Sequence, residues 1–100
     1  MLKLWFQDNV KLAVGNSEDL IIDHNATNSR ITNYTGNLRI INSSDDSDIT
    51  FESDDGSGGI TTYFKLDGST GFTQFADSRQ LTFGAGDDLK IQHNGTNSEI

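Results

Sequence analysis

The strongest constraint on this chain is an internal repeat with a constant spacing. Residues 19–31, DLIIDHNATNSRI, return as residues 88–100, DLKIQHNGTNSEI, with no gap and at an offset of 88 − 19 = 69 residues. Identical residues continue upstream at Phe6/Phe75, Asp8/Asp77, Leu12/Leu81 and Gly15/Gly84. Self-similarity at a fixed period is typical of proteins in which one supersecondary unit recurs. We therefore expect residues 1–100 to form a single repeat segment, with one unit over about residues 6–74 and the start of a second over residues 75–100.

Alternation along the repeated segment predicts a strand with one buried face. Leu, Ile and His are kept at every second residue, whereas the residues between them change, for example from Ile21 to Lys90. A period of two residues is that of a β-strand, so we expect the kept side to be packed and the changing side to face water. The predicted buried set is Leu20, Ile22, Leu38, Ile40, Leu89 and Ile91. The predicted exposed set is Ile21, Asp23, Lys90 and Gln92.

A turn follows each histidine, because the next residues are Asn-Ala-Thr-Asn-Ser in one copy and Asn-Gly-Thr-Asn-Ser in the other. Asn, Ser and Thr side chains bond nearby backbone and favour turns. The exchange of Ala26 for Gly95 predicts that this position does not require a positive φ. A second strand is expected to begin at Ser29, which makes each copy a hairpin.

The rest of the chain also reads as short strands, with turn residues at intervals of about 8–12 residues, which predicts an all-β fold. The arrangement would be a solenoid-like repeat or an interwoven β-structure. The predicted strands are residues 2–6, 11–14, 20–24, 30–34, 38–42, 49–53, 60–66 and 72–75. The longest of these would present Ile60, Thr62, Phe64 and Leu66 on one face.

The composition gives a lone chain little material for a core. Of the 100 residues, 33% are hydrophobic and 22% are charged, and a free domain of this size buries a modest fraction of its surface. The net charge of −8 disfavours binding to nucleic acid, and no apolar run is long enough for insertion into a membrane. With no cysteine, neither a disulfide nor a thiolate metal site is available. We expect sister chains to supply the missing core in a closed homo-oligomer.

The two histidines, His24 and His93, occupy equivalent positions and allow two interpretations. Three symmetry-related imidazoles around a threefold axis would hold a metal ion or an anion. Alternatively, each imidazole bonds the Asn-rich turn at the end of its strand. No second His or fixed carboxylate accompanies them, which favours turn bonding. Residues 38–42 repeat the Leu-x-Ile pattern and carry Asn42 at the histidine position, which favours it further.

Three acidic clusters, residues 45–48, 54–55 and 87–88, are candidates for calcium binding. An EF-hand loop needs ligands at alternate positions, a central Gly and a distal Glu, and none of the clusters has that set. Residues 84–88, GAGDD, approach a glycine-rich calcium repeat, but the matching residues 15–19, GNSED, lack the second glycine. We therefore predict solvated turn carboxylates, with no metal ligand and no cofactor.

No segment carries a catalytic signature, and we predict a protein that is not an enzyme and has no catalytic residue. Paired carboxylates would serve glycoside hydrolysis, but adjacent Asp residues are common in turns. Ser57 lies in GSGG rather than in the G-x-S-x-G frame of a nucleophile elbow. Aromatic residues on strands pack in cores or between chains more often than they stack on sugars. The residues concerned are Trp5, Phe6, Tyr34, Tyr63 and Phe64.

Four stretches resemble a repeat found in structural proteins of marine tailed bacteriophages. They read LTFGAGDDLKIQHNGTNSEI at residues 81–100, TGNLRI at 35–40, FESDDGSGG at 51–59 and YFKLDG at 63–68. The resemblance covers most of the chain after Phe6. It departs from the family pattern at Ala26, where Gly is usual, and at residues 16–17, where a glycine-rich turn is usual.

The resemblance implies a non-enzymatic structural segment of a tail fibre or similar virion appendage, acting as a spacer or adhesin scaffold. Such fibres are typically homotrimers with interwoven β-structure, so a trimer is the expected assembly. Residues 1–100 would then be a fragment of a longer fibre located in the virion, with other virion proteins and host-surface glycans as further partners. The alternative is a carbohydrate-binding or depolymerising tail-spike domain.

Overall fold

The computed structural model describes residues 2–100 and folds them into short strands joined by turns. Within this range there is no helix, which confirms the predicted all-β class. The strands are β1 (Leu12–Val14), β2 (Leu20–His24), β3 (Ser29–Asn33), β4 (Ile49–Asp54), β5 (Ile60–Asp67), β6 (Phe72–Gln74), β7 (Leu81–Phe83), β8 (Leu89–His93) and β9 (Ser98–Glu99). The predicted strand over residues 20–24 and the predicted start of the next strand at Ser29 are both confirmed.

The chain divides into two compact units, Met1–Ile40 and Ile41–Ile100. The first unit holds one antiparallel sheet in the order β1-β2-β3, and the second holds two, in the orders β4-β5-β6 and β7-β8-β9. Each sheet has three strands that are consecutive in the sequence. A sheet with one apolar face has to bury that face against another element.

Cross-strand pairing in β1-β2-β3 gathers five apolar side chains on one face. Ile22 lies opposite Leu12 on one side and Ile31 on the other, while Leu20 lies opposite Val14. Partners across a ladder point to the same side of the sheet. We call this set the apolar face of the first unit.

The second copy of the repeat builds the same ladder 88 − 19 = 69 residues later. Leu81 lies opposite Ile91, and Phe83 lies opposite Leu89. The backbone recurs as well, because left-handed φ angles occur at matched positions. These pairs are Asn9 (65°) and Ser78 (64°), Gly15 (97°) and Gly84 (90°), Glu18 (55°) and Asp87 (55°), and Ala26 (77°) and Gly95 (95°).

The left-handed angle at Ala26 makes one prediction wrong, since the exchange with Gly95 had indicated a position without a positive φ. The Asn25 side chain imposes the turn, because its Oδ1 accepts hydrogen bonds from the N–H groups of Thr27 (3.0 Å) and Asn28 (2.7 Å). Ala26 is carried into the left-handed region by its neighbours. A residue with a Cβ atom is strained there by about 1–2 kcal/mol.

The predicted inside and outside of the repeated strand are reversed in its first copy, β2. Ile21 and Asp23 were expected to be exposed, but both are buried. The chain covers this changing side because Arg30 on β3 closes over Asp23 with two hydrogen bonds. On the matching strand Lys90 is exposed as predicted, and Gln92 is half-buried. The six residues predicted to be buried are half-buried or exposed, namely Leu20, Ile22, Leu38, Ile40, Leu89 and Ile91.

Two predicted strands, residues 2–6 and 38–42, do not form. A strand obtains its backbone hydrogen bonds from a neighbour, and within the described chain neither stretch pairs with one. In the second stretch the Asn42 side chain bonds the backbone instead. Its Nδ2 donates to the Asp48 carbonyl oxygen at 2.9 Å, and its Oδ1 accepts from the Ser44 N–H at 3.0 Å.

The predicted face of the longest strand is wrong because β5 contains a β-bulge. Phe64 lies opposite Phe51, but the next ladder pair joins Thr62 to Glu52, so Tyr63 is the extra residue. Phe51 and Glu52 are consecutive on β4 and therefore point to opposite sides. Phe64 and Leu66 thus share a face that Ile60 and Thr62 do not share.

Candidate functional site

The two histidines bond across their hairpins at equivalent places. His24 Nδ1 lies 3.0 Å from Ser29 Oγ, and His93 Nδ1 lies 3.2 Å from Ser98 Oγ. In both hairpins the serine is the ladder partner of the histidine on the next strand. These are the contacts of the turn-bonding interpretation, since each imidazole ties the two ends of one turn together.

The asparagine after each histidine shapes the turn through its side chain. In the second copy, Asn94 Oδ1 accepts hydrogen bonds from the N–H groups of Thr96 (2.9 Å) and Asn97 (2.8 Å). Asn25 makes the matching bonds in the first copy. The kept polar residues of the repeat therefore hold the hairpin, and their hydrogen bonds are made within it.

A cross-strand ion pair between Asp23 and Arg30 closes one face of the first unit. Arg30 donates from Nε to Asp23 Oδ1 (3.0 Å) and from Nη2 to Oδ2 (2.7 Å). The Asp23 side chain is 3% exposed, whereas that of Arg30 is 50% exposed. The hydrogen bonds from Arg30 lower the pKa of Asp23, and the carboxylate raises the pKa of Arg30.

Sequence reasoning missed this pair, although a usable signal was present. Once the turn joins His24 to Ser29, the next pair along the hairpin is Asp23 and Arg30. In the second copy the same positions hold Gln92 and Glu99, where Gln92 Nε2 donates to Glu99 Oε2 at 3.3 Å. The changing side of the strand thus carries a salt bridge in one copy and an amide–carboxylate bond in the other.

The acidic cluster at residues 54–55 bonds the backbone of its own turn, whereas Asp48 of the first cluster accepts from the Gly68 N–H in another turn. Asp55 Oδ1 accepts from the N–H groups of Ser57 (2.7 Å) and Gly59 (3.1 Å), which lowers its pKa. Asp88 lies close to Gly84, where its carboxylate occupies the space that a Cβ atom would need. No group of three or more His, Cys, Asp or Glu side chains that could hold a metal ion occurs among residues 2–100.

Lys65 joins two aspartates beside the turn that follows β5. Its Nζ lies 3.4 Å from Asp48 Oδ2 and 3.5 Å from Asp67 Oδ2, and the Asp48 carboxylate raises its pKa. Asp67 Oδ1 accepts from the hydroxyl of Ser69 (2.7 Å), from its N–H (2.9 Å), and from the Thr70 N–H (3.2 Å). These bonds, led by the Ser69 hydroxyl, lower the pKa of Asp67 from 3.8 to about 2.

Lys65 and Asp48 also border a shallow polar groove on one side of β4-β5-β6. The exposed ring of Tyr63 lies at this groove, and its hydroxyl donates to the Asp54 carbonyl oxygen. Arg79 lies 5.4 Å from the centre of the same ring and donates to Thr61 Oγ1 at 2.9 Å. The polar groove is lined by Asp48, Thr50, Thr62, Tyr63, Phe64, Lys65, Gln74 and Ala76.

Three phenylalanines stack in a row across the second unit. The ring centres of Phe51 and Phe64 are 4.5 Å apart, and those of Phe64 and Phe75 are 5.4 Å apart. Phe75 then lines a second groove together with Leu81 and Ile91. We call this continuous set, Phe51, Phe64, Phe75, Leu81 and Ile91, the apolar stripe.

Both copies of the repeat leave the same apolar positions open to solvent. The matched exposures are 42% and 41% for Leu12 and Leu81, 50% and 49% for Val14 and Phe83, and 41% for both Ile22 and Ile91. Within residues 2–100, Ile21 is the one buried hydrophobic side chain. Most apolar residues that are identical in the two copies therefore remain exposed to solvent in the single chain.

No helix in the described range has the length and hydropathy needed to cross a membrane. Comparisons with protein-family models, with curated proteins and with solved structures found no match for this chain.

Proposed function

We propose that the chain is a non-enzymatic structural segment of a tail fibre or similar virion appendage and that it acts as a homotrimer. In this proposal the hairpin of residues 20–33 and its copy from residue 89 onward are two copies of one structural repeat. The sequence resemblance to phage structural repeats supports the location. The turn-bonding roles of the histidines, asparagines and aspartates support a structural role for the polar residues.

The exposed area of the single chain carries the proposal. A folded monomer of 11.0 kDa is expected to expose about 5,600 Å². This chain exposes 8373 Å², an excess of about 2,800 Å². A standard interface covers about 800 Å² of each partner, and permanent assemblies cover more. The excess supports a chain whose core is completed by copies of itself, while the number three rests on the resemblance.

Sedimentation equilibrium of the full chain tests the assembly. We expect a species of three times 11.0 kDa across a concentration range of about 1 to 50 µM, with a melting temperature that rises with concentration. A monomer whose cooperative melt does not change on dilution would refute it. Immunogold electron microscopy of phage particles that carry this chain tests the location, and label away from the appendages would contradict it.

Carbohydrate binding is a second candidate, favoured by the polar groove. Thr50, Thr62 and Gln74 offer hydrogen-bonding groups there, beside the exposed ring of Tyr63. Cleavage of a glycan requires two carboxyl groups placed across one bond, whereas the groove's Asp48 is paired with Lys65. Binding to a glycan array that is lost in a Tyr63→Ala variant would support this candidate, and an array without signal would contradict it.

A further inference from the structure

On β4 and β5 the apolar stripe lies on the side opposite their charged residues, while Arg79 and Glu99 border the groove that holds Phe75, Leu81 and Ile91. Phe51 and Phe64 form a ladder pair on one side of β4 and β5. Glu52 and Asp54, at alternate positions of β4, point to the other side. Lys65 follows Phe64 on β5 and therefore also points to the other side. Two stripes can therefore meet without removing these charges from water, which would be costly for a chain of net charge −8.

Stacking within the chain covers the stripe only in part. Phe64 is half-buried between its neighbours, while Phe51, Phe75, Leu81 and Ile91 are between 38% and 41% exposed. Phe51 has its ladder partner Phe64 beside it, and Leu81 and Ile91 are partners of each other, whereas Phe75 contacts the stripe by stacking on Phe64. An interface that is permanent resembles a domain core cut in half, with apolar side chains presented in this way.

We infer that the apolar stripe is the surface on which copies of this chain pack against one another, an inference that rests on the proposed function. The occupant is a second copy: the excess area of about 2,800 Å² is of the size that permanent assemblies bury, and the chain itself repeats part of this surface. Moreover, β1-β2-β3 presents Leu12 and Ile22 at the positions of Leu81 and Ile91, so one chain offers this apolar pair twice. The side that carries Glu52, Asp54 and Lys65 stays in water.

Two neighbouring residues of β7 provide a matched test. Leu81 lies opposite Ile91 on the stripe, whereas Thr82 lies opposite Lys90 on the other side of the sheet. In a single chain Leu81 is the more exposed of the two, since Thr82 is half-buried. The chain has no cysteine, so Leu81→Cys and Thr82→Cys each create one reactive thiol. The measurement is the rate of maleimide labelling of each variant in native buffer.

If copies pack on the stripe, the thiol of Leu81→Cys reacts about tenfold or more slowly than that of Thr82→Cys, and the two rates become equal in denaturant. Sedimentation of each variant confirms that both assemble as the unmodified protein does. Assembled variants in which Leu81→Cys reacts as fast as Thr82→Cys would overturn the inference and leave the proposed assembly standing. A monomeric unmodified protein would overturn both.

Discussion

Replacing Ala26 with Gly should raise the stability of the protein, although glycine usually weakens a fold. Ala26 has a φ of 77°, and this conformation costs a residue with a Cβ atom about 1–2 kcal/mol. Glycine removes that strain, but its greater conformational entropy stabilises the unfolded chain by about 0.5–1 kcal/mol. At the midpoints of these ranges the net gain is about 0.75 kcal/mol, which corresponds to a rise of about 3–6 °C in the melting temperature of a domain of this size.

Circular dichroism melts at one fixed protein concentration measure this change, because association makes the melting temperature depend on concentration. Two variants serve as controls. Gly95→Ala introduces the strain at the matching position, where φ is 95° and the added Cβ would meet Asp77 Oδ2 at an ordinary 3.6 Å, so about 1 kcal/mol should be lost. Ala13→Gly makes the same exchange inside β1, where about 0.5–1 kcal/mol should also be lost.

The direction of the change in melting temperature in the three variants tests whether Ala26 is left-handed. Ala26→Gly must stabilise while Ala13→Gly destabilises, although the atoms removed are the same. If both variants melt below the unmodified protein, Ala26 is not left-handed in solution. The shared turn geometry of the two copies would then be wrong as well.

Three further predictions concern the second unit. Gly68→Ala should cost about 1–3 kcal/mol or more, because its Cβ would overlap the Ser47 carbonyl oxygen; a denaturant midpoint equal to that of the unmodified protein would contradict this close approach. Phe64→Ala should weaken assembly by about 3–5 kcal/mol per chain in sedimentation equilibrium, whereas Thr62→Ala, on the other side of β5, should change it by less than about 1 kcal/mol. Equal effects would be evidence against the stripe. Asp67 has a pKa lowered from 3.8 to about 2, so its stabilising contribution is present above pH 3.8 and is lost as the pH falls towards 2. Asp67→Asn should therefore lose less stability than the unmodified protein in acid melts over that range, and equal losses would refute the assignment.

Local sequence signals were sufficient for the hairpins. The strand over residues 20–24 and the turn after His24 depend on side chains that are neighbours in the chain, so alternation and turn chemistry locate them. Even there the left-handed angle of Ala26 was missed, because the hydrogen bonds of Asn25 outweigh the preference of alanine. A single residue type is a weak guide where a neighbouring side chain fixes the backbone.

Features that depend on contacts across the sheet were not predictable in the same way. The bulge at Tyr63 changes which residues of β5 share a face, and no local signal marks it. Residues 38–42 carry a clear strand alternation but lack a partner within the described chain. The burial of Asp23 depends on its pairing with Arg30, which becomes visible only after the hairpin register is known. In each case the deciding interaction joins residues on different strands.

The kept residues of the repeat fall into two groups with different physical needs. Polar ones such as His24 and Asn25 make their hydrogen bonds within the hairpin. Apolar ones such as Leu12 and Ile22 remain about 42% and 41% exposed, with the same values or nearly so in the second copy. Contacts inside the chain therefore explain why the first group recurs, but not why the second does. Burial against another chain would stabilise an apolar side chain at these positions. We therefore propose that the protein functions through its assembly rather than through a pocket of the single chain.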